Sequence, residues 1–201
     1  MTTPAELAKN YGKLYSEELG IKLQTGKEQE IFKWFFAALL FGKPIQENVA
    51  KKTYQLFALK RITTPQAILD TGWGGLVEIL DLGGYVRYDF STATKLLEIM
   101  KQLQKEYGGK VANIHAMAKD ARDLELRLQQ FKGIGTVTAN IFLRELRTVW
   151  NKADPEPAPM VKEAARRLNI TLPLTRKSEQ FMRLEAALVR VAKLRKRRIT
   201  P

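Results

Sequence analysis

The segment Phe131–Leu146, FKGIGTVTANIFLREL, holds the residues of this chain best suited to binding chemistry. Gly133, Ile134 and Gly135 sit between two runs of helical period. Upstream, Leu124, Leu128 and Phe131 fall at i, i+4 and i+7; downstream, Phe142, Leu146 and Val149 repeat the spacing. The pattern predicts two short helices joined by a tight turn. Glycine tolerates positive φ and lets a partner approach the backbone closely. The second helix then begins with free amides and the positive end of its dipole exposed. Such an end is a phosphate cradle. The chain carries a formal charge of +13 and a pI near 9.9, which attracts polyanions. The expected owner of the phosphate is therefore a nucleic acid.

Composition removes several other chemistries. There is no cysteine, which excludes disulfides, thiolate nucleophiles and cysteine-ligated zinc or iron–sulfur clusters. His115 is the single histidine, so a histidine-rich metal site is excluded too. It stands beside Ile114 and Met117 on a predicted short helix and reads as a surface or partly packed residue. The N-terminal MTTPAELAKN lacks the apolar core of a signal peptide. The longest apolar run, FKWFFAALLF, contains a lysine and is too short to span a bilayer. A soluble, intracellular protein is expected, cytoplasmic (nucleoid-associated) if prokaryotic. With 201 residues and 45% apolar content, the chain has material for a sizeable core in one domain.

The elements that must position the turn are helices punctuated by glycine and proline. Residues 5–19 repeat Leu7, Tyr11 and Leu14 and stop at Gly20. Residues 27–41 put Ile31, Trp34, Phe35, Ala38 and Leu39 on a broad face, which predicts a central helix. A third helix is expected over 45–58. Thr64-Pro65 reads as a cap followed by proline at the first helical position. It opens a short helix ending near Gly72, and another runs over about 74–82 to Gly83-Gly84. Ser91 is the expected cap of a long helix carrying Leu96, Leu97, Met100 and Leu103. After the hairpin, ADPEPAP (153–159) is a loop that proline keeps extended. One helix near 160–168 and a last one from about 176 into KLRKRR close the chain. No segment alternates with period two, so the expected fold is all-α.

The glycine pair, preceded by Lys132 and followed by Thr136, Thr138 and Ala139, resembles the hairpin of the helix–hairpin–helix DNA glycosylases, the superfamily of endonuclease III. IFKWFFAALLFGKPIQENVAKKTYQLF is similar to the early central helix of that family and the helix after it. LVEILDLGGYVRYDFSTATKLLEIM is similar to its helix, glycine turn and helix. Order and spacing agree from about residue 27 to 169. The resemblance implies a monomer of one domain, 1–201, with two helical lobes: a central one over about 27–135, and a second from 1–26 plus 136–201. It implies double-stranded DNA, damaged, as partner. It also implies release of a flipped, modified base from a cleft between the lobes. The amides around Gly133, Gly135 and Val137 would hold a phosphate, helped by Ile134 in the turn, the Thr136 hydroxyl and Lys132. Hairpin carbonyls would hold a sodium or potassium ion. Tyr85, Arg87 and Tyr88 occupy the region of the family's wedge. Lys43, Trp34, Gln46 and Trp73 are contributors to the expected cleft.

The chain departs from the family at three places. Bifunctional members carry a Schiff-base lysine where this chain has Val137, so the resemblance implies a monofunctional, water-using glycosylase. The family's carboxylate lies on the loop after the hairpin. Counting forward from the glycines reaches Asp154, with Glu156 second; counting back from Arg167-Leu168 reaches Ala158. If Ala158 is the equivalent, the usual carboxylate is missing. The family's C-terminal iron–sulfur cluster has no cysteines here, and KLRKRR offers basic charge in its place. The alternatives are a catalytically silent DNA-binding protein and an RNA or replication-associated hairpin protein.

Overall fold

The computed structural model describes residues 3–199, with side chains described through Leu194. Among the described residues it is all-α, with no strand. In chain order the helices are α1 (Pro4–Tyr11), α2 (Tyr15–Glu18), α3 (Glu28–Phe41), α4 (Glu47–Leu59), α5 (Pro65–Gly83) and α6 (Asp89–Tyr107). Then come α7 (Val111–Met117), α8 (Ala121–Gln129), α9 (Thr136–Arg144), α10 (Pro159–Arg167) and α11 (Glu179–Ile199). A 3-10 turn at Leu23–Thr25 precedes α3.

The expected helix over 5–19 is two, α1 and α2, because the chain leaves the helix at Gly12. There the backbone lies so close to the Ala8 and Arg183 carbonyls that a methyl group would clash with both. Tyr11, placed on the apolar face by its spacing, is exposed instead. Thr64 caps α5 as expected, its hydroxyl accepting from the Ala67 amide at 3.1 Å. Gly72, at φ 66°, breaks α5 into two helical stretches. Ser91 does not cap α6, which starts two residues earlier, after Tyr88. The Ser91 hydroxyl donates to the Tyr88 carbonyl.

Helix α3 is the axis of the packing. Trp34, Phe35, Phe36, Ala37, Ala38 and Leu40 are all buried, so little of this helix meets solvent. It touches α4, α7 and α9. The Trp34 indole donates to the Phe142 carbonyl at 2.9 Å and locks α3 to α9. Phe35 meets Phe131 and Phe142 edge to face, and Tyr107 stacks on Phe131. Burying the Phe131 ring alone contributes about 1.5–3 kcal/mol. These rings clamp the α8–α9 hairpin onto α3 and α6. Glu28, at the start of α3, accepts from the Val111 and Ala112 amides at 2.7 and 2.9 Å and so caps α7. Elsewhere, α5 packs along α6 and α4, while α1 and α10 pack along α11. No described helix is long and apolar enough to cross a membrane.

Candidate nucleic-acid interface and cavity

The turn between α8 and α9 runs from Gln130 to Gly135. Phe131 and Ile134 point into the core, leaving Lys132, Gly133 and Gly135 at the surface. The Ile134 amide donates to the Phe131 carbonyl at 2.9 Å and tightens the turn. Gly133 has φ 93°, a conformation that glycine adopts without strain. A methyl group on it would also approach Lys95 Cδ to 2.8 Å. Gly135 is different. Its φ of −97° suits any residue, and nothing stands within 4 Å of where a Cβ would be. It is the N-cap of α9 without a side-chain hydrogen bond. Among the described residues, the amides of Gly135, Thr136 and Val137 donate to no acceptor. They lie at the positive end of the α9 dipole, beside the exposed Thr136 hydroxyl. The carbonyls of Lys132, Gly133 and Ile134 accept no hydrogen bond among those residues. Three neutral oxygens in one turn suit a hard monovalent cation.

Beside this turn opens a cavity of about 850 Å3. One wall is a face of α9, with Thr136, Val137, Asn140, Ile141 and Arg144. Phe41 ends α3, and Lys43 and Ile45 come from the α3–α4 connection. That connection is held against α9 because Gly42 packs on Thr138, where a side chain would collide with the threonine hydroxyl. Another wall is the proline-rich loop, Pro155 to Ala158, with Pro159, Met160, Lys162, Glu163 and Arg166 of α10. Val189 and Lys193 of α11, Glu125 of α8 and Tyr15 of α2 complete it. The loop is fixed at two points. Asn140 Nδ2 donates to the Glu156 carbonyl at 2.7 Å, and Arg147 Nη2 donates to the Pro155 carbonyl at 2.8 Å.

The two candidate carboxylates of this loop have different surroundings. Asp154 does not line the cavity. Its Oδ1 accepts from Arg147 Nη1 at 2.6 Å, and Arg176 grips both of its oxygens at 3.0 and 3.2 Å. Arg147 is fully buried over the Phe181 ring and also pairs with the buried Glu185 at 3.1 Å. Asp154 therefore helps to neutralise a buried guanidinium. Glu156 does line the cavity, but it is paired with Arg176 and with Lys162. Those partners hold its carboxyl below the ordinary range. Ala158, the alternative equivalent, is also in the cavity wall, where it caps α10.

Sequence reasoning missed Glu125. It stands next to the core residue Leu124 on α8 and faces the cavity without an ion pair among the described residues. Burial pushes its carboxyl up, and the negative charges of Glu156 and Asp154 add to the rise, partly offset by Arg147 and Arg176. Arg144 was missed as well. It is 8% exposed, lies 5.3 Å over the Tyr15 ring, lines the cavity, and its Nε has no hydrogen-bond partner.

The remaining sequence candidates separate cleanly. Tyr85 is 1% exposed and its hydroxyl donates to the Leu40 carbonyl, so it is a core residue and not an available wedge. Arg87 is exposed and Tyr88 half-buried on the same turn. Exposed Val86 and Phe90 flank them. Trp34 is buried away from the cavity, and Gln46 is exposed but outside the cavity wall. Trp73 is half-exposed, donates to Thr94 at 3.0 Å and tilts against Phe90. His115 stacks on Trp150 and bonds Asn151, outside the cavity lining. In KLRKRR, the side chains of residues 195–198 lie outside the described residues.

Comparison with known proteins gave no match: no family model, no curated protein and no solved structure aligns significantly with this chain.

Proposed function

We propose that this protein is a DNA-binding base-excision-repair protein of the helix–hairpin–helix glycosylase type, which flips a modified base into the cavity and releases it with water. The observation that carries the reading is the junction of two features. Free amides at the α9 N-terminus stand at the surface, and a roomy cavity opens from the next turn of the same helix. On this reading the amides of Gly135, Thr136 and Val137 hold a backbone phosphate, assisted by Lys132. The carbonyls of Lys132, Gly133 and Ile134 hold a sodium or potassium ion. Phosphate contacts of this kind position a protein without reading sequence. The flipped nucleotide would enter between two helical lobes, with Arg87 and Tyr88 near the gap it leaves. The protein would act as a monomer on duplex DNA.

Cleavage of an N-glycosidic bond develops positive charge on the sugar, and a nearby carboxylate stabilises it or orients water. The free carboxylate of the cavity wall is Glu125, and Glu156 is second. Val137 offers no nucleophile at the hairpin position. The test is a base-release screen over alkylated, oxidised and deaminated duplexes, with wild type beside Glu125→Gln. Release by the wild type and its loss in the variant are expected. One observation favours a second reading, a catalytically silent DNA-binding protein: Asp154 is locked in ion pairs and Ala158 takes the wall position. Duplex binding with no release from any substrate selects that reading.

A further inference from the structure

Arg144 lies in the last turn of α9 and lines the cavity, yet it is only 8% exposed. Among the described residues it forms no ion pair, and its Nε is closed to solvent with no hydrogen-bond partner. The neighbouring cations differ. Lys193, Lys162 and Arg166 of the cavity wall are paired with Glu47, Glu156 and Glu163. Arg190, which also lies over the Tyr15 ring, is paired with Glu18. The adjacent Glu145 is turned to α2, where its oxygens accept from the Tyr15 and Ser16 amides, both at 2.9 Å. It feels the charge of Arg144, which opposes part of the rise that burial causes in its carboxyl, but no hydrogen bond joins the two. The Tyr15 ring, 5.3 Å away, and the negative end of the α9 dipole favour a cation here. They leave its N–H groups without an acceptor.

A buried guanidinium without hydrogen-bonded compensation is costly, and an arriving oxyanion removes that cost. We infer that the Arg144 end of the cavity is a binding site for a small organic oxyanion, a carboxylate or phosphate monoester carried on an apolar body. The planar fork of arginine matches the paired oxygens of either group. Lys193, in the same cavity wall and 5.5 Å from the same Tyr15 ring, adds a second cation. The body follows from what stands beside them. Ile141, three residues before Arg144, shares its face of α9 and lines the cavity. Phe41 meets the Tyr15 ring edge to face at 5.5 Å, and Ile45 and Val189 extend the apolar surface.

This site is separate from the hairpin turn. Thr136 and Arg144 stand at opposite ends of α9, about 12 Å apart along its axis. Thr136 is exposed and Arg144 is buried. A duplex phosphate resting on the α9 amides therefore does not reach the guanidinium, whereas a small molecule inside the cavity does. The site does not rest on the base-release reading. Where both hold, its ligand takes the room that a flipped base needs and inhibits release.

Calorimetric titration of the full-length protein with benzoate and phenyl phosphate tests the inference. Inorganic phosphate and phenol are the arms that carry only the head or only the body. At least one of the two amphipathic probes should saturate a single site. Tighter binding of benzoate identifies a carboxylate head, and tighter binding of phenyl phosphate a phosphate head. Inorganic phosphate and phenol should each bind at least about tenfold more weakly than the better probe. Arg144→Met keeps a stem against the Tyr15 ring and should weaken that probe by at least about tenfold. Should this variant not fold, Ile141→Glu decides. It places a carboxylate one turn from Arg144 and should abolish probe binding by the folded protein. Wild type that binds neither probe overturns the inference, as does unchanged affinity in the folded variants. Inorganic phosphate bound as tightly as phenyl phosphate, with benzoate unbound, overturns the organic ligand. No DNA enters this readout, so a failure of base release leaves the site standing.

Discussion

Glu125 and Asp154 have the same functional group and opposite surroundings. Asp154 is shared between Arg147 and Arg176, whereas Glu125 faces the cavity with no ion pair among the described residues. A carboxylate used as a base must be charged, so its rate should rise with pH as it loses its proton. Burial and the charges of Glu156 and Asp154 raise the Glu125 carboxyl, so the acidic limb of base release should lie above the ordinary carboxylate range. Glu156→Gln removes one of the neighbouring charges and should move that limb down; Glu125→Gln should lower release by about a hundredfold or more. A pH–rate profile on one cleaved substrate separates the two effects. Asp154→Asn should read out differently. It leaves the buried Arg147 with one fewer anionic partner, and denaturant unfolding should show a loss of about 1–3 kcal/mol. Base release by the folded protein should persist. If release vanishes while stability is unchanged, Asp154 is the catalytic group after all.

At the scale of the element, the two glycines of the turn do separate jobs. Gly133 is required by its own backbone and by Lys95 beside it, so a substitution there disturbs the fold. Gly135 has an ordinary φ and open space where its Cβ would stand. Gly135→Val should therefore keep the fold, at a cost of about 1 kcal/mol for a poorer N-cap residue, while screening the α9 amides. Duplex affinity should fall about tenfold, or ~1.4 kcal/mol, in a fluorescence-anisotropy titration. Unchanged affinity would remove the phosphate cradle. The turn itself was legible because glycines interrupt two apolar-periodic runs, and α3 was legible because its apolar residues cover most of a helix. The break at Gly12 was not, because the carbonyl of Arg183 that crowds it comes from the far end of the chain. Glu125 was hidden for a related reason. Its place in ARDLELRLQQ reads as the outer face of a helix. It becomes a cavity wall because Asn140 and Arg147 hold the proline-rich loop near it.

At the scale of the molecule, the excess of positive charge must be tolerated as well as used. It favours approach of a polyanion but adds self-repulsion to the compact state. Glu47 counters this where several cations meet. It pairs with Lys51 at 2.7 Å and Lys193 at 3.0 Å and accepts from the Tyr15 hydroxyl at 3.0 Å, joining α4 to α11 and α2. Lys51 continues to Glu18, and Glu18 to Arg190, which lies over the Tyr15 ring. Burial alone would raise the Glu47 carboxyl; Lys51 and Lys193 outweigh it and hold the group down at about 2. A folded value below the unfolded one means that stability is present above the ordinary carboxylate range and is lost as pH falls toward that folded value. Acid titration should therefore weaken the packing of α11 on α4 between about pH 5 and 2, as carboxylates are neutralised and net positive charge grows. Glu47→Gln should be less stable than wild type at neutral pH, and its stability should fall less steeply over that interval. Urea unfolding at a series of pH values measures both slopes. Parallel slopes would show that the acid sensitivity resides in other carboxylates and that the Glu47 junction does not hold α11 in place.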